Sequence, residues 1–143
     1  MTKAVLFLAL LSFTACTGET DDTNDTDDTD TESEEEPNDA MEEAYALTLP
    51  ATIDAAIDPS TDEDWYSFDA STDVTVAITE VFESLELYID VKDSDGLAVL
   101  SWDTGARGAT FSDTLPVAET GTFYLRIHSA YGNDTGTYTL SVQ

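Results

Sequence analysis

Six oxygen-bearing side chains fall into two short runs. Glu34, Glu36, Asn38 and Asp39 lie around Pro37, and Asp62 and Asp64 flank Glu63 further along the chain. Carboxylates and amide carbonyls are hard donors, and Ca²⁺ takes about six to eight such oxygens. Two acidic runs brought together by a fold repel each other unless a cation lies between them. A metal bridging them would fix the N-terminal segment against the structure that carries the second run. The same residues also support a reading without metal. Asp39-Ala40-Met41-Glu42 has the spacing of a capping box, so Asn38 or Asp39 could cap a short helical turn. Asp62 to Asp64 would then be an ordinary acidic turn. Both readings stay open on the residues alone, and a cap and a ligand are not exclusive.

Other chemistry finds little support. Asp93-Ser94-Asp95-Gly96 resembles part of an EF-hand loop, but that register puts Val91 and Trp102 where acidic ligands are needed. A hairpin turn suits it better. The one histidine, His128, shares the outward side of its strand with Tyr124 and Arg126. No serine sits in a nucleophile elbow, and no zinc-binding pattern of His and Cys occurs. A catalytic site needs a base, an orienting group and a pocket together, so the expectation is a protein that is not an enzyme. Tyr88 and Tyr124 alternate outward with charged residues and are the best candidates for a ligand surface that takes a protein or a polysaccharide.

The formal charge is −27, from 31 Asp and Glu against four Lys and Arg. Such a chain will not bind nucleic acid, whose phosphates demand basic residues. Its plausible partners are cations, basic proteins or neutral polymers. Residues 1–15 have Lys3, then an apolar run from Ala4 to Leu11, far short of the roughly 20 residues that span a bilayer. This reads as an export signal. It ends at Cys16, the only cysteine. Residues 16–33 are almost all Asp, Thr, Glu and Asn, with nothing large and apolar to bury, and read as a disordered acidic tether.

Residues 34–143 change to alternating apolar and polar positions, broken by turn signals about every 8 to 12 residues, as in all-β domains. Strands are expected at 52–57, 65–70, 74–81, 85–91, 97–102, 110–117, 123–128 and 138–142. Leu85, Leu87, Ile89 and Val91 face one way, as do Phe123, Leu125 and Ile127. Only 38–46 suggests helix. About eight short strands predict an all-β fold, an antiparallel β-sandwich of jelly-roll-like form.

Two resemblances extend this reading. Ser12-Phe13-Thr14-Ala15-Cys16 resembles a bacterial lipobox, with Phe13 where Leu is usual; this implies cleavage before Cys16 and diacylglycerol on its sulfur. Glu34-Glu35-Glu36-Pro37-Asn38-Asp39, then Asp62-Glu63-Asp64-Trp65-Tyr66, then Gly121-Thr122-Phe123-Tyr124-Leu125, then Gly136-Thr137-Tyr138, resembles the bacterial pre-peptidase C-terminal domain. That family is often appended to secreted proteases and is similar to the collagen-binding modules of bacterial collagenases. The resemblance implies a jelly-roll-like sandwich and a Ca²⁺ site formed by Glu34, Glu36, Asn38, Asp39, Asp62 and Asp64. No catalytic domain precedes it in this chain. The expectation is a calcium-stabilised monomer held by a lipid anchor at the outer membrane or cell surface, serving binding or spacing. The alternatives are an accessory partner of a separate protease or export system, and a structural lipoprotein without a discrete ligand.

Overall fold

The computed structural model describes residues 32–143. The signal peptide, the lipidation of Cys16 and nearly all of the tether lie outside the described residues. Ten strands are present: β1 (Glu32–Ser33), β2 (Tyr45–Ala46), β3 (Ala51–Ile57), β4 (Glu63–Ala70), β5 (Val74–Thr79), β6 (Leu87–Asp93), β7 (Ala98–Asp103), β8 (Phe111–Leu115), β9 (Gly121–Ser129) and β10 (Gly136–Val142). The eight longer strands stand where alternation placed them. In β5, β6 and β10 every second residue is apolar and buried, which suits a half-buried pleated surface.

The strands form two sheets of five, ordered β1-β3-β10-β5-β8 and β2-β4-β9-β6-β7. The sheets pack face to face over one core. Ile53, Ile57, Tyr66, Val76, Ile78, Leu85, Leu87, Ile89, Leu125, Ile127, Tyr138 and Leu140 are all essentially inaccessible. Phe123, expected inward with Leu125 and Ile127, packs against this core at its margin. Consecutive strands mostly change sheet; β6 and β7 are the exception and form a hairpin. Its turn has Gly96 at φ 75°, and Asp93 Oδ1 accepts the N–H groups of Asp95 (3.0 Å) and Leu97 (2.9 Å). Asp93 to Gly96 is therefore a hairpin turn.

The sheets are not purely antiparallel. β1 runs parallel to β3, and β2 runs parallel to β4. Both are two-residue additions at a sheet edge, too short to leave a period-2 signal. β1 also begins before the expected domain start at Glu34. The helix expected at 38–46 is a single 3₁₀ turn, Met41–Glu43, and Ala40 stands at its N-cap with no side-chain bond. The capping reading of Asn38 and Asp39 is thus corrected. Asn38 is buried, too far upstream to serve the turn.

The segment between β1 and β2 carries the chain from one sheet to the other. Glu34 N–H donates to the Asp54 carbonyl (3.1 Å) on β3, and Trp65 N–H on β4 donates to the Asn38 carbonyl (3.0 Å). This crossing closes one side of the sandwich, and the first acidic run lies on it.

Candidate metal centre

β4 alternates, so Asp64, Tyr66, Phe68 and Ala70 point inward, while Glu63, Trp65, Ser67 and Asp69 point outward. Asp64 therefore enters the gap between the sheets at the point where the crossing segment passes. Asp62 precedes it in the β3–β4 turn. Its Oδ2 accepts the Asp58 N–H (2.8 Å) and its Oδ1 the Glu63 N–H (3.0 Å).

All six residues of the two runs converge. Carboxylate oxygens of Glu34, Glu36 and Asp64 lie within 4.8 Å of one another, and so do those of Glu36, Asp39 and Asp62. Glu36 is common to both triads. Asn38 stands among them: its N–H donates to Glu36 Oε2 (2.9 Å) and its Nδ2 to Glu34 Oε2 (3.4 Å). These bonds hold Glu34 and Glu36 in place. No lysine or arginine side chain forms an ion pair with any of the five carboxylates among the described residues.

Within this cluster two buried acceptors have no partner, Asn38 Oδ1 and Asp64 Oδ1. Each residue is wholly inaccessible, and an unsatisfied buried polar atom costs about 1–3 kcal/mol. Burial pushes the Asp64 carboxyl up to about 9, with the Glu34 charge adding to it. Burial likewise pushes Asp62 up to about 6 and raises Glu34. Burial and mutual repulsion, with no positive partner close by, favour the protonated form of these carboxyls.

Two tyrosines back the site. Tyr66 Oη lies 2.6 Å from Glu34 Oε2, Tyr138 Oη lies 2.5 Å from Asp64 Oδ2, and the two hydroxyls are 3.0 Å apart. Four oxygens thus make three contacts, while the hydroxyls own two protons. With both carboxylates ionised, Tyr66 donates to Glu34 and Tyr138 to Asp64, and the contact between hydroxyls has no proton. A third proton on Asp64 completes the chain, running from Asp64 to Tyr138 to Tyr66 to Glu34. Proton counting and the raised Asp64 pKa agree. These tyrosines were not singled out from sequence as part of the site. A signal existed, because alternation turned Tyr138 inward, and a buried phenol needs a polar partner.

The donor set is entirely oxygen, with five carboxylates and one amide. Such a set suits Ca²⁺ or Mg²⁺ rather than the softer metals. Oxygens 4.8 Å apart or closer match ions bound at about 2.3–2.6 Å, the range for Ca²⁺. The two orphaned acceptors give a cation direct partners, so the residues present fit the ion.

Tyr88 and Tyr124 stand elsewhere, on the outer face of the β2-β4-β9-β6-β7 sheet. They share that face but not one patch. Tyr88 is paired with His128 and Tyr124 with Lys92, and the rings of Tyr88 and His128 lie 5.8 Å apart. Between them Arg126 on β9 bridges Glu63 on β4 and Asp90 on β6. His128 is on this outer face, as alternation required. Trp65 lies flat on the same face under Lys92 Nζ (5.1 Å from the ring centre) and Arg126 (6.0 Å).

No protein-family model matches the chain, and no curated protein matches it. Solved structures do. The chain is similar to the pre-peptidase C-terminal domain of collagenase from Bacillus anthracis, with 20% identity over 70% of this chain and 94% of that one, and a TM-score of 0.58. It is also similar to the periplasmic g-type lysozyme inhibitor PliG of Aeromonas hydrophila, with 15% identity over 70% of this chain and 96% of that one, and a TM-score of 0.46. The fold of this chain is that of the pre-peptidase C-terminal domain, as its sequence motifs led us to expect.

Proposed function

We propose that this protein is an exported, lipid-anchored, non-catalytic binding module whose sandwich is closed by calcium. The observation that carries the reading is the convergence of six oxygen donors from two distant runs around two orphaned buried acceptors. Glu34, Glu36 and Asp64 would hold one ion. Glu36, Asp39 and Asp62 would hold a second through the shared carboxylate, and Asn38 Oδ1 would complete the set. Five carboxylates carry five negative charges, so two divalent ions leave the cluster near neutrality while one leaves it strongly negative. The ion supplies the positive charge that lets acidic residues of the crossing segment rest against acidic residues of β4. The chain's own part is to preset the oxygens: backbone N–H groups orient Asp62 and Glu36, and the tyrosine pair orients Glu34 and Asp64.

The likeness in fold to a domain carried by a collagenase supports a module that binds rather than reacts, and supports export. The lipobox at Cys16 supports anchoring at the outer membrane or cell surface, with the acidic tether holding the domain away from the lipid.

Thermal melts of the soluble domain test this reading. A ligand that binds only the native state adds about 2.7 kcal/mol at a hundredfold excess over its Kd. For a domain of this size that raises Tm by roughly 10 °C. Millimolar Ca²⁺ should produce such a rise over EDTA, and the double variant Glu36→Gln/Asp64→Asn should show none. Equal melting temperatures with Ca²⁺ and with EDTA in the native sequence would overturn it.

A further inference from the structure

The crossing segment does more than close the sandwich. Its 3₁₀ turn lies across the outer face of the β2-β4-β9-β6-β7 sheet and reaches the β6–β7 hairpin. Met41 Sδ lies 3.6 Å from the point where a Cβ on Gly96 would stand. Between the turn and the hairpin runs an open groove of about 330 Å³, lined by Met41, Glu42, Ser94, Asp95, Gly96 and Tyr124. Tyr124 on β9 forms its floor. Met41 forms one wall, and Glu42 and Asp95, both exposed, stand on opposite rims. Neither rim carboxylate has an ion-pair partner among the described residues. Lys92, the neighbour of Tyr124 in register, is drawn over Trp65.

We infer that this groove takes the side chain of a lysine or arginine presented by an extended segment of a basic protein. The inference rests on the reading of the domain as a binding module and names its partner class. Three features carry it. The aromatic floor and the thioether wall suit the aliphatic stem of a basic side chain. A cationic head over a tyrosine ring is attracted by the ring's quadrupole. One carboxylate from the turn and one from the hairpin line the same groove, and the net charge of −27 draws a basic partner toward the surface. An acidic or anionic partner meets the opposite field at every step.

The test uses the full chain in Ca²⁺ at physiological salt, titrated with hexa-lysine and hexa-arginine peptides, with binding read by calorimetry and by the Met41 methyl resonance. The expected result is saturable binding that shifts the Met41 signal and weakens about tenfold in Tyr124→Ala and in Glu42→Gln/Asp95→Asn. The control Glu83→Gln/Glu119→Gln removes the same charge elsewhere and should leave affinity within about a factor of two. Tyr124→Ser is a second probe of the floor should the alanine variant melt early. Equal weakening in both acid pairs, or binding indifferent to Tyr124, would mean diffuse attraction to an acidic surface and would overturn the groove. Neither outcome touches the calcium reading, which is tested separately by the calcium-dependent rise in Tm.

Discussion

Asp62, Glu63 and Asp64 are consecutive residues of the same chemical kind, yet they live in opposite electrostatic worlds. The pleat of β4 turns Glu63 outward, where the Arg126 guanidinium holds its carboxyl below the usual range. It turns Asp64 inward, where burial and the Glu34 charge hold its carboxyl up to about 9. Asp62, at the mouth of the same turn, is held up to about 6 by burial. The difference lies in who supplies positive charge. The outer face brings its own cations, Arg126 and, when protonated, His128, whose Nε2 lies 3.6 Å from Asp90. The cluster around Asp64 gathers five carboxylates, with Asp62 and Asp64 buried and Glu36 and Asp39 exposed at its mouth, and receives no cation from the described chain. A carboxylate on the first face is a solvated ion-pair partner; in the cluster it has only other acids, an amide and tyrosine hydroxyls around it. Acid density along the sequence does not separate the two cases, and strand periodicity does.

The largest effects on the contrast between Glu63 and Asp64 should come from pH and from Asp64→Asn. An aspartate in an unfolded chain titrates near about 3.9, and folded Asp64 titrates near about 9. The cation-free fold therefore holds a proton that the unfolded chain has lost between those values. Stability linked to Asp64 is fully present below about pH 4 and is lost as pH rises toward about 9, by at most about 1.4 kcal/mol per pH unit. Asp62 adds to the decline between about pH 4 and 6, with the same sign. In EDTA, denaturant melts should show a domain clearly more stable at pH 5 than at pH 8. Asp64→Asn imitates the protonated acid. At pH 8 in EDTA it should stabilise the domain by on the order of a few kcal/mol, flatten the pH profile and reduce the response to Ca²⁺. A native sequence that gains stability from pH 5 to 8 in EDTA would place Asp64 with the ionised carboxylates of the outer face.

A smaller effect sharpens the other side of the comparison. The pairs of Arg126 with Glu63 and Asp90 are partly exposed, and such pairs contribute about 0–1 kcal/mol. Glu63→Gln should shift stability by no more than that, with a dependence on salt, and should leave the Ca²⁺ response intact. A loss of calcium stabilisation in Glu63→Gln would mean that the outer ladder and the inner cluster act as one unit.

Much of this was legible in the sequence, for identifiable reasons. Strands such as Leu87–Asp93 announce themselves because each second residue must be apolar to cover a core. The Asp93–Gly96 turn does so because only a glycine enters positive φ freely. The motif resembling the pre-peptidase C-terminal domain singled out all six residues that the fold brings together at the acidic cluster. What escaped depends on contacts between distant segments. β1 and β2 are too short to carry a period, and only the path of the crossing segment makes them strands. Met41–Glu43 looked like the start of a capped helix because Asp39 and Glu42 have capping-box spacing; the segment instead turns Asn38 inward and leaves Ala40 at the turn. The Tyr66–Tyr138 pair links residues on facing sheets, and no local pattern carries that.

On the proposed reading, the cluster around Asp64 exchanges a proton for calcium. Calorimetric titration of the domain with Ca²⁺ at pH 7, repeated in buffers of different ionisation enthalpy, measures that exchange directly. Binding should be saturable with release of about one proton per domain, and Glu36→Gln/Asp64→Asn should show neither binding nor release. Binding without proton release, or binding that persists in the double variant, would contradict it.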